Sequence, residues 1–141
     1  MAIGAVATDK MRNVLFNRAF KSSPDYTSFS KGAIGTGTTT PTTSDTDLES
    51  VISNWNGGAS DYKSYETNYP TFDEGTKKVT TRVFVTANDA NANVITEFAD
   101  FNTDGTPLIG GRFVFNGITK TSAIQVYFTI TYRLIWGDMK W

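Results

Sequence analysis

The longest regular pattern of apolar and polar positions lies between residues 124 and 136. Polar side chains, among them Gln125, Thr129, Thr131 and Arg133, separate the apolar ones. The apolar series is Ile124, Val126, Phe128, Ile130, Tyr132, Leu134 and Trp136. Because successive side chains of a strand point to opposite faces, this period of two predicts a long strand with one buried face. We expect it to be the central strand of the sheet.

Other segments also carry strand patterns. In "KVTTRVFVTA", Val79, Val83 and Val85 share one face and polar residues share the other, which is typical of a half-buried strand. Shorter strands are predicted at residues 29–34 and within "YKSYETNYPTFD". In the latter, Pro70 indicates an edge or a break, because proline cannot donate to a sheet.

Near the N-terminal end the apolar spacing becomes helical, and Thr8 has the chemistry of an N-cap. The apolar face of this segment consists of Met11, Val14, Leu15, Phe16, Ala19 and Phe20. We predict a short amphipathic helix over residues 8–20, with a β conformation of "NVLFNRAF" as the alternative. A single helical turn is predicted at "SDTDLES", with Ser44 as its N-cap.

The stretch "DFNTDG", residues 100–105, resembles the first half of a helix–loop–helix calcium site. Such a loop requires a bidentate glutamate at its twelfth position, where this chain has Gly111. The flanking segments alternate like strands, and Asp-Gly between strands is a common hairpin signal. We therefore interpret residues 102–105 as a β-hairpin turn, in which Gly105 supplies a positive φ, and predict no metal site.

Residues 27–43 read "TSFSKGAIGTGTTTPTT", which is rich in glycine, serine and threonine. The part "GTGTTT" is a weak signal for phosphate binding, because a phosphate loop needs a lysine and a strand-to-helix context. We interpret this segment as an irregular crossing over the surface. The patterns together predict a mainly β fold, an antiparallel β-sandwich with a short N-terminal helix and one helical turn. The domain is expected over residues 8–136, with an N-terminal arm (1–7) and a C-terminal tail (137–141).

The amino-acid composition limits the classes of function that are possible. The 141 residues suit one domain with a real core, and 13 lysines and arginines balance 14 aspartates and glutamates. That balance favours neither nucleic acid nor an anionic membrane as a partner. There is no cysteine and no histidine, which removes thiol nucleophiles and imidazole bases. We expect no enzyme activity and no cofactor, and neither a secretory signal nor a membrane span is predicted.

Two weaker patterns bear on carbohydrates. Asp61, Glu66 and Glu97 offer carboxylates of the kind that cleave glycosides in pairs, although structural roles are the stronger interpretation. Sugar-binding platforms use exposed aromatic rings, which the stretch "NWNGGASDYKSYETNY" provides in quantity. Its rings belong to Trp55, Tyr62, Tyr65 and Tyr69.

The order of several motifs resembles phage tail-collar and tail-fibre-attachment proteins. The resemblance rests on a glycine-rich "GTGTTTPTTSDTDL" segment, a hairpin in "EFADFNTDGTPLI", a lysine at Lys120 and the long last strand over residues 123–135. Where that family commonly has glycine after "EF", this chain has Ala99. The resemblance implies a virion structural protein, made in the host cytoplasm, and it implies the hairpin interpretation of "DFNTDG".

From this resemblance we expect a tail component, at the baseplate or a fibre junction, that forms a homo-oligomer and contacts other virion proteins. Residues 1–7 and "WGDMKW" are the expected docking arms, with Trp136, Met139 and Trp141 as interface candidates. A terminal tryptophan such as Trp141 suits an anchor in a neighbour's pocket. The alternatives are a capsid decoration protein and a carbohydrate-binding module on a tail fibre.

Overall fold

The computed structural model describes residues 3–134. Alternating and apolar segments form strands, and one segment of helical spacing forms a helix. The elements are β1 (Gly4–Ala7), α1 (Asp9–Phe20), β2 (Phe29–Gly35), β3 (Lys63–Ser64), β4 (Thr71–Asp73), β5 (Lys78–Val85), β6 (Val94–Asn102), β7 (Ile109–Thr119) and β8 (Val126–Arg133). The mainly β, sandwich-like fold is confirmed.

The strands form two antiparallel sheets. One has the order β1-β7-β6-β2-β3 and the other the order β4-β5-β8. The apolar face of β5, with Val83 and Val85, packs between the sheets against Phe98 of β6 and Phe128 of β8. A second apolar cluster lies on the other side of the larger sheet, under the connection that follows β2. Strand β6 is consequently buried along nearly its whole length.

The last strand is shorter and less central than predicted. Strand β8 covers Val126–Arg133 and, among the described strands, pairs only with β5, which places it at an edge of the smaller sheet. Its face assignment is confirmed, because Phe128 is buried while Thr129 and Thr131 are exposed. The prediction of a central strand is wrong, since alternation reports one buried face but not the number of neighbouring strands.

The N-terminal helix is confirmed, but most of its predicted apolar face is not buried. Thr8 caps the helix by accepting a hydrogen bond from the N–H of Met11 at 3.2 Å. Only Met11 and Val14 are buried within α1. The helix therefore contacts the sheets along a narrow stripe and leaves its other apolar residues exposed. With 12 residues, α1 is also too short to cross a membrane, and no longer helix occurs among residues 3–134.

Two further expectations are wrong. Residues 44–50 form no helical turn, because Asp45 instead accepts hydrogen bonds from the backbone N–H and hydroxyl of Thr42. Part of the expected N-terminal arm, Gly4–Ala7, is strand β1, which pairs with β7 and so belongs to the domain. The tail 137–141 and the interface candidates Trp136, Met139 and Trp141 lie outside the described residues.

Candidate binding groove beside the helix

An apolar groove lies between α1 and the inner face of the smaller sheet, and we call it the helix groove. Its volume is about 620 Å³. The groove continues the space between the two sheets, because Thr81 shares the inner face of β5 with Val83, and Asp100 shares that of β6 with Phe98. Its walls are formed by Met11, Val14, Leu15, Arg18, Ala19, Ser28, Phe29, Ser30, Tyr65, Tyr69, Pro70, Phe72, Val79, Thr81, Asp100 and Tyr132.

The floor of the helix groove is a polar cluster around Asp100. The hydroxyl of Tyr65 donates to Asp100 Oδ1 at 2.8 Å, and that of Thr81 donates to the same oxygen at 3.2 Å. The hydroxyl of Tyr132 donates to Asp100 Oδ2 and accepts the N–H of Gly111 at 3.1 Å. Since Asp100 belongs to one sheet and Thr81 and Tyr132 to the other, the cluster fastens the sheets together.

The electrostatics of this floor follow from burial. Asp100 is 1% exposed, and burial raises its pKa to about 6, against the lowering effect of the hydrogen bonds from Tyr132, Tyr65 and Thr81. Burial and the neighbouring carboxylate also raise the pKa of Tyr65 and of Tyr132. The hydroxyl groups therefore keep their protons at neutral pH and serve as hydrogen-bonding groups beneath an apolar chamber.

The rim of the helix groove carries large apolar side chains that face solvent. Leu15 and Phe72, on opposite walls, are 50% and 75% exposed. Outside the groove lining, Phe16 and Phe20 of α1 are 64% and 81% exposed, and their rings stack on each other with centroids 6.0 Å apart. Large apolar side chains that face solvent on both walls of a groove are typical of an interaction site.

The residues of "DFNTDG" have separate structural roles. Asp100 points into the groove floor, whereas Asn102 Oδ1 accepts the N–H of Leu108 at 2.8 Å and Asp104 accepts the N–H of Thr27 at 3.0 Å. Within residues 3–134, no three acidic side chains are arranged to hold a metal ion. A side chain at Gly111, the position of the missing calcium ligand, would lie only 2.6 Å from the Tyr132 hydroxyl.

The hairpin itself is confirmed, because β6 and β7 are antiparallel neighbours that meet at Phe101 and Ile109. The turn is longer than predicted, however, and is closed by the N–H of Asn102 donating to the carbonyl of Leu108 at 3.1 Å. Gly105 has no positive φ, so that part of the prediction is wrong. A longer loop distributes the reversal over more residues and removes the need for a left-handed glycine.

The glycine-threonine segment binds carboxylates of its own chain. The N–H groups of Thr38 and Thr39 both donate to Glu49 Oε2 at 2.8 Å, and the N–H of Gly37 donates to Glu97 Oε1 at 3.0 Å. A Cβ atom at position 37 would lie 2.6 Å from that Glu97 oxygen. The backbone donors that resemble a phosphate loop are thus already satisfied, and glycine is required by close packing.

Glu97 is the centre of a second polar cluster, on the opposite face of β6 from Asp100. It is fully buried, and its Oε2 accepts hydrogen bonds from Arg112 Nε and Nη2 at 3.0 and 2.9 Å. Arg112 Nη1 also pairs with Asp45 at 2.9 Å. Because Glu97 is enclosed, it cannot act with Asp61 or Glu66 as a carboxylate pair on a substrate, and its contacts give it the structural role that the sequence favoured.

The four aromatic candidates do not form one exposed platform. Trp55 is 3% exposed, belongs to the core and donates its indole N–H to the carbonyl of Asp61 at 2.6 Å. Tyr62 is partly buried with its edge against Phe101, and Tyr65 is in the groove floor. Tyr69 lines the helix groove and also a shallower polar pocket on the outer side of β5.

That polar pocket has a volume of about 570 Å³. Arg82 lies between two rings there, with its guanidinium carbon 4.9 Å from the centre of Tyr69 and 5.4 Å from that of Tyr127. Phe84, which lines the pocket, stacks on Tyr127 with centroids 4.4 Å apart. The sequence patterns named only Tyr69 among these rings, although the alternation of β5 and β8 places Phe84 and Tyr127 on the faces opposite Val83 and Phe128.

Comparison of the chain with protein-family models finds no match, and none is found among curated proteins or solved structures.

Proposed function

We propose that this chain is a phage virion structural protein, a component of the tail at the baseplate or a fibre junction. It assembles through contacts with other proteins, and the helix groove is its principal contact surface. The structural observation that supports assembly is the groove's exposed rim, formed by Leu15 and Phe72. The motif resemblance to tail-collar and tail-fibre-attachment proteins supports the placement in a virion.

The energetics favour coverage of this rim by a protein partner. Burying one leucine or phenylalanine side chain stabilises a complex by about 1.5–3 kcal/mol relative to leaving it in water. Leu15 and Phe72 stand on the two walls of a groove, so a single inserted segment would cover both. Most of the affinity of a protein interface comes from a few large side chains that fill well-packed pockets.

Protein analysis of purified particles tests the proposal. The wild-type chain is expected in particles at constant copy number and in the tail fraction after tails and capsids are separated. The double variant Leu15→Glu/Phe72→Glu is expected to fold but to be lost from particles, because charges are placed on the rim. A matched control, Val94→Glu/Ile124→Glu, alters two apolar residues that are exposed outside the groove.

Absence of the wild-type chain from purified particles would contradict the virion role. Recovery in the capsid fraction alone would instead favour a capsid decoration protein, which uses the same kind of contact. Equal incorporation of the two double variants would show that the helix groove is not the contact surface.

Glycan binding is a second candidate, and the polar pocket beside β5 favours it. Tyr69 and Phe84 present rings there, while Arg82 and Glu66 supply hydrogen-bonding groups. Aromatic rings can stack on the apolar C–H face of a sugar, and the neighbouring polar groups can form hydrogen bonds with its hydroxyl groups. A glycan array tests this candidate, with loss of binding expected for Phe84→Ser; an array without any binding to the wild-type chain would exclude it.

A further inference from the structure

The last described strand leads to the helix groove. Tyr132 of β8 lines the groove floor, and Leu134, just after the strand, donates its N–H to the carbonyl of Lys77 at 3.1 Å. The side chain of Leu134 is exposed. Residues 135–141 follow directly, and a segment of this length spans at most about 25 Å when extended.

The chemistry of residues 135–141 matches the groove. Their sequence, "IWGDMKW", has large apolar side chains at Trp136, Met139 and Trp141 and a carboxylate at Asp138. A buried tryptophan needs an apolar wall and an acceptor for its indole N–H. The groove provides both, because its walls are mainly apolar and tyrosine hydroxyls lie at its floor. Arg18, in the helical wall, is a charge complement for Asp138.

We propose that the helix groove of one copy binds residues 135–141 of a second copy. This inference rests on the proposed assembly function and names the partner of the groove. Strand β8 is still extended at Arg133, and Leu134 still bonds to Lys77, so the chain leaves the groove floor in the strand direction. Such head-to-tail binding closes into a ring or continues as an open chain.

Mixing two full-length variants tests this proposal. The groove variant, Leu15→Glu/Phe72→Glu, keeps its own residues 135–141, and the tail variant, Trp136→Ser/Trp141→Ser, keeps its groove. Wild-type protein is expected to form concentration-dependent oligomers in size-exclusion chromatography with light scattering. Each variant alone is expected to be monomeric, whereas an equimolar mixture is expected to give a one-to-one complex. The control Val94→Glu/Ile124→Glu is expected to oligomerise like wild type.

A synthetic peptide of residues 135–141 provides an independent measurement. Added in excess, it is expected to dissociate wild-type oligomers and to bind the tail variant but not the groove variant. A monomeric wild type, a mixture without complex, or a peptide that binds neither variant would overturn the proposal. If the chain is nevertheless found in particles, the virion function stands with another protein in the groove. If the mixture forms the complex but particles lack the chain, the docking stands and the virion function fails.

Discussion

Strand β6 buries two acidic side chains, Glu97 and Asp100, on its opposite faces, and the two are stabilised by different means. Glu97 accepts hydrogen bonds from the guanidinium of Arg112 and from backbone N–H groups, in a site enclosed by the glycine-threonine segment. Asp100 accepts hydrogen bonds from neutral hydroxyl groups, at the floor of a groove that opens to solvent. The first cluster holds a loop against the sheet, whereas the second places a titratable group at the floor of the open helix groove.

The contrast reflects the charge of the groups that bind each carboxylate. A cation offsets the loss of hydration of a buried carboxylate directly, while neutral donors offset it only in part. For Asp100 the effect of burial consequently prevails, and its pKa rises to about 6.

The largest expected effect comes from removing the cation of the closed cluster. Arg112→Met leaves the buried Glu97 and the nearby Asp45 without their guanidinium partner. Breaking a buried ion pair from one side destabilises a protein by about 3–5 kcal/mol. The free energy of unfolding in urea should fall by that amount. The double variant Arg112→Met/Glu97→Gln should recover part of the loss; a loss below 1 kcal/mol in the single variant would mean that the pair adds little.

The next effect concerns the open cluster and pH. Because the folded-state pKa of Asp100 is about 6 and its ordinary value is 3.8, folding is favoured by the protonated carboxyl. This contribution is complete below the ordinary pKa and is lost as pH rises through the folded-state pKa. Relative to Asp100→Asn, the wild type should lose about 3 kcal/mol between pH 3.5 and pH 7, at 1.36 kcal/mol per pKa unit.

Denaturant titrations of both proteins at several pH values measure this difference. Asp100→Asn serves as the reference because it keeps the size of the side chain and removes its titration. A stability difference that stays constant from pH 3.5 to pH 7 would contradict the raised pKa of Asp100. A difference that changes in the opposite direction would indicate that the hydroxyl donors outweigh burial.

A smaller effect is expected from removing one hydroxyl of the floor. Tyr132→Phe deletes a donor to Asp100 and the acceptor for the N–H of Gly111. Unpaired buried polar groups cost about 1–3 kcal/mol each. The pKa of Asp100, followed by NMR of its carboxyl carbon, should rise further. Tyr127→Phe on the exposed face of the same strand is the control, and equal effects of the two variants would show that the floor hydroxyl has no special role.

Calcium is expected to have no effect on the melting temperature. The oxygens of Asp100 and Asn102 accept hydrogen bonds from other parts of the protein, and Asp104 Oδ2 accepts one from the side-chain amide of Asn102 at 2.9 Å. A specific site would stabilise the folded state by about 2.7 kcal/mol at a hundredfold excess of ligand over Kd. A clear calcium-dependent rise in Tm, reversed by a chelator, would contradict this assignment.

Local patterns in the sequence were sufficient for many elements. The alternation around Val83 predicted the buried face of β5, the Thr8 cap predicted the start of α1, and Asp-Gly between alternating segments predicted the hairpin of β6 and β7. These features depend on neighbours a few residues apart. The helix is the exception, because Phe16 and Phe20 have the spacing of a buried face but are exposed.

The two polar clusters were not predictable in the same way. Glu97 forms an ion pair with Arg112 on the neighbouring strand. Asp100 accepts hydrogen bonds from Tyr65 and Tyr132, which are distant along the chain. Nothing local distinguishes such residues from exposed polar ones, since their partners are determined by strand order. The helix groove could not be predicted from the sequence for a related reason, because it is formed by α1 and both sheets together.

The most direct test of the groove as an assembly surface is photo-crosslinking in particles. A photoreactive phenylalanine analogue placed at Phe72, on the exposed rim, should form an adduct with a second copy of the chain or another virion protein. The same analogue at Ile124, which is exposed outside the groove, should not. Adducts at position 72 alone are the predicted result. Adducts at position 124 but none at position 72, in particles that contain both variants, would contradict the account.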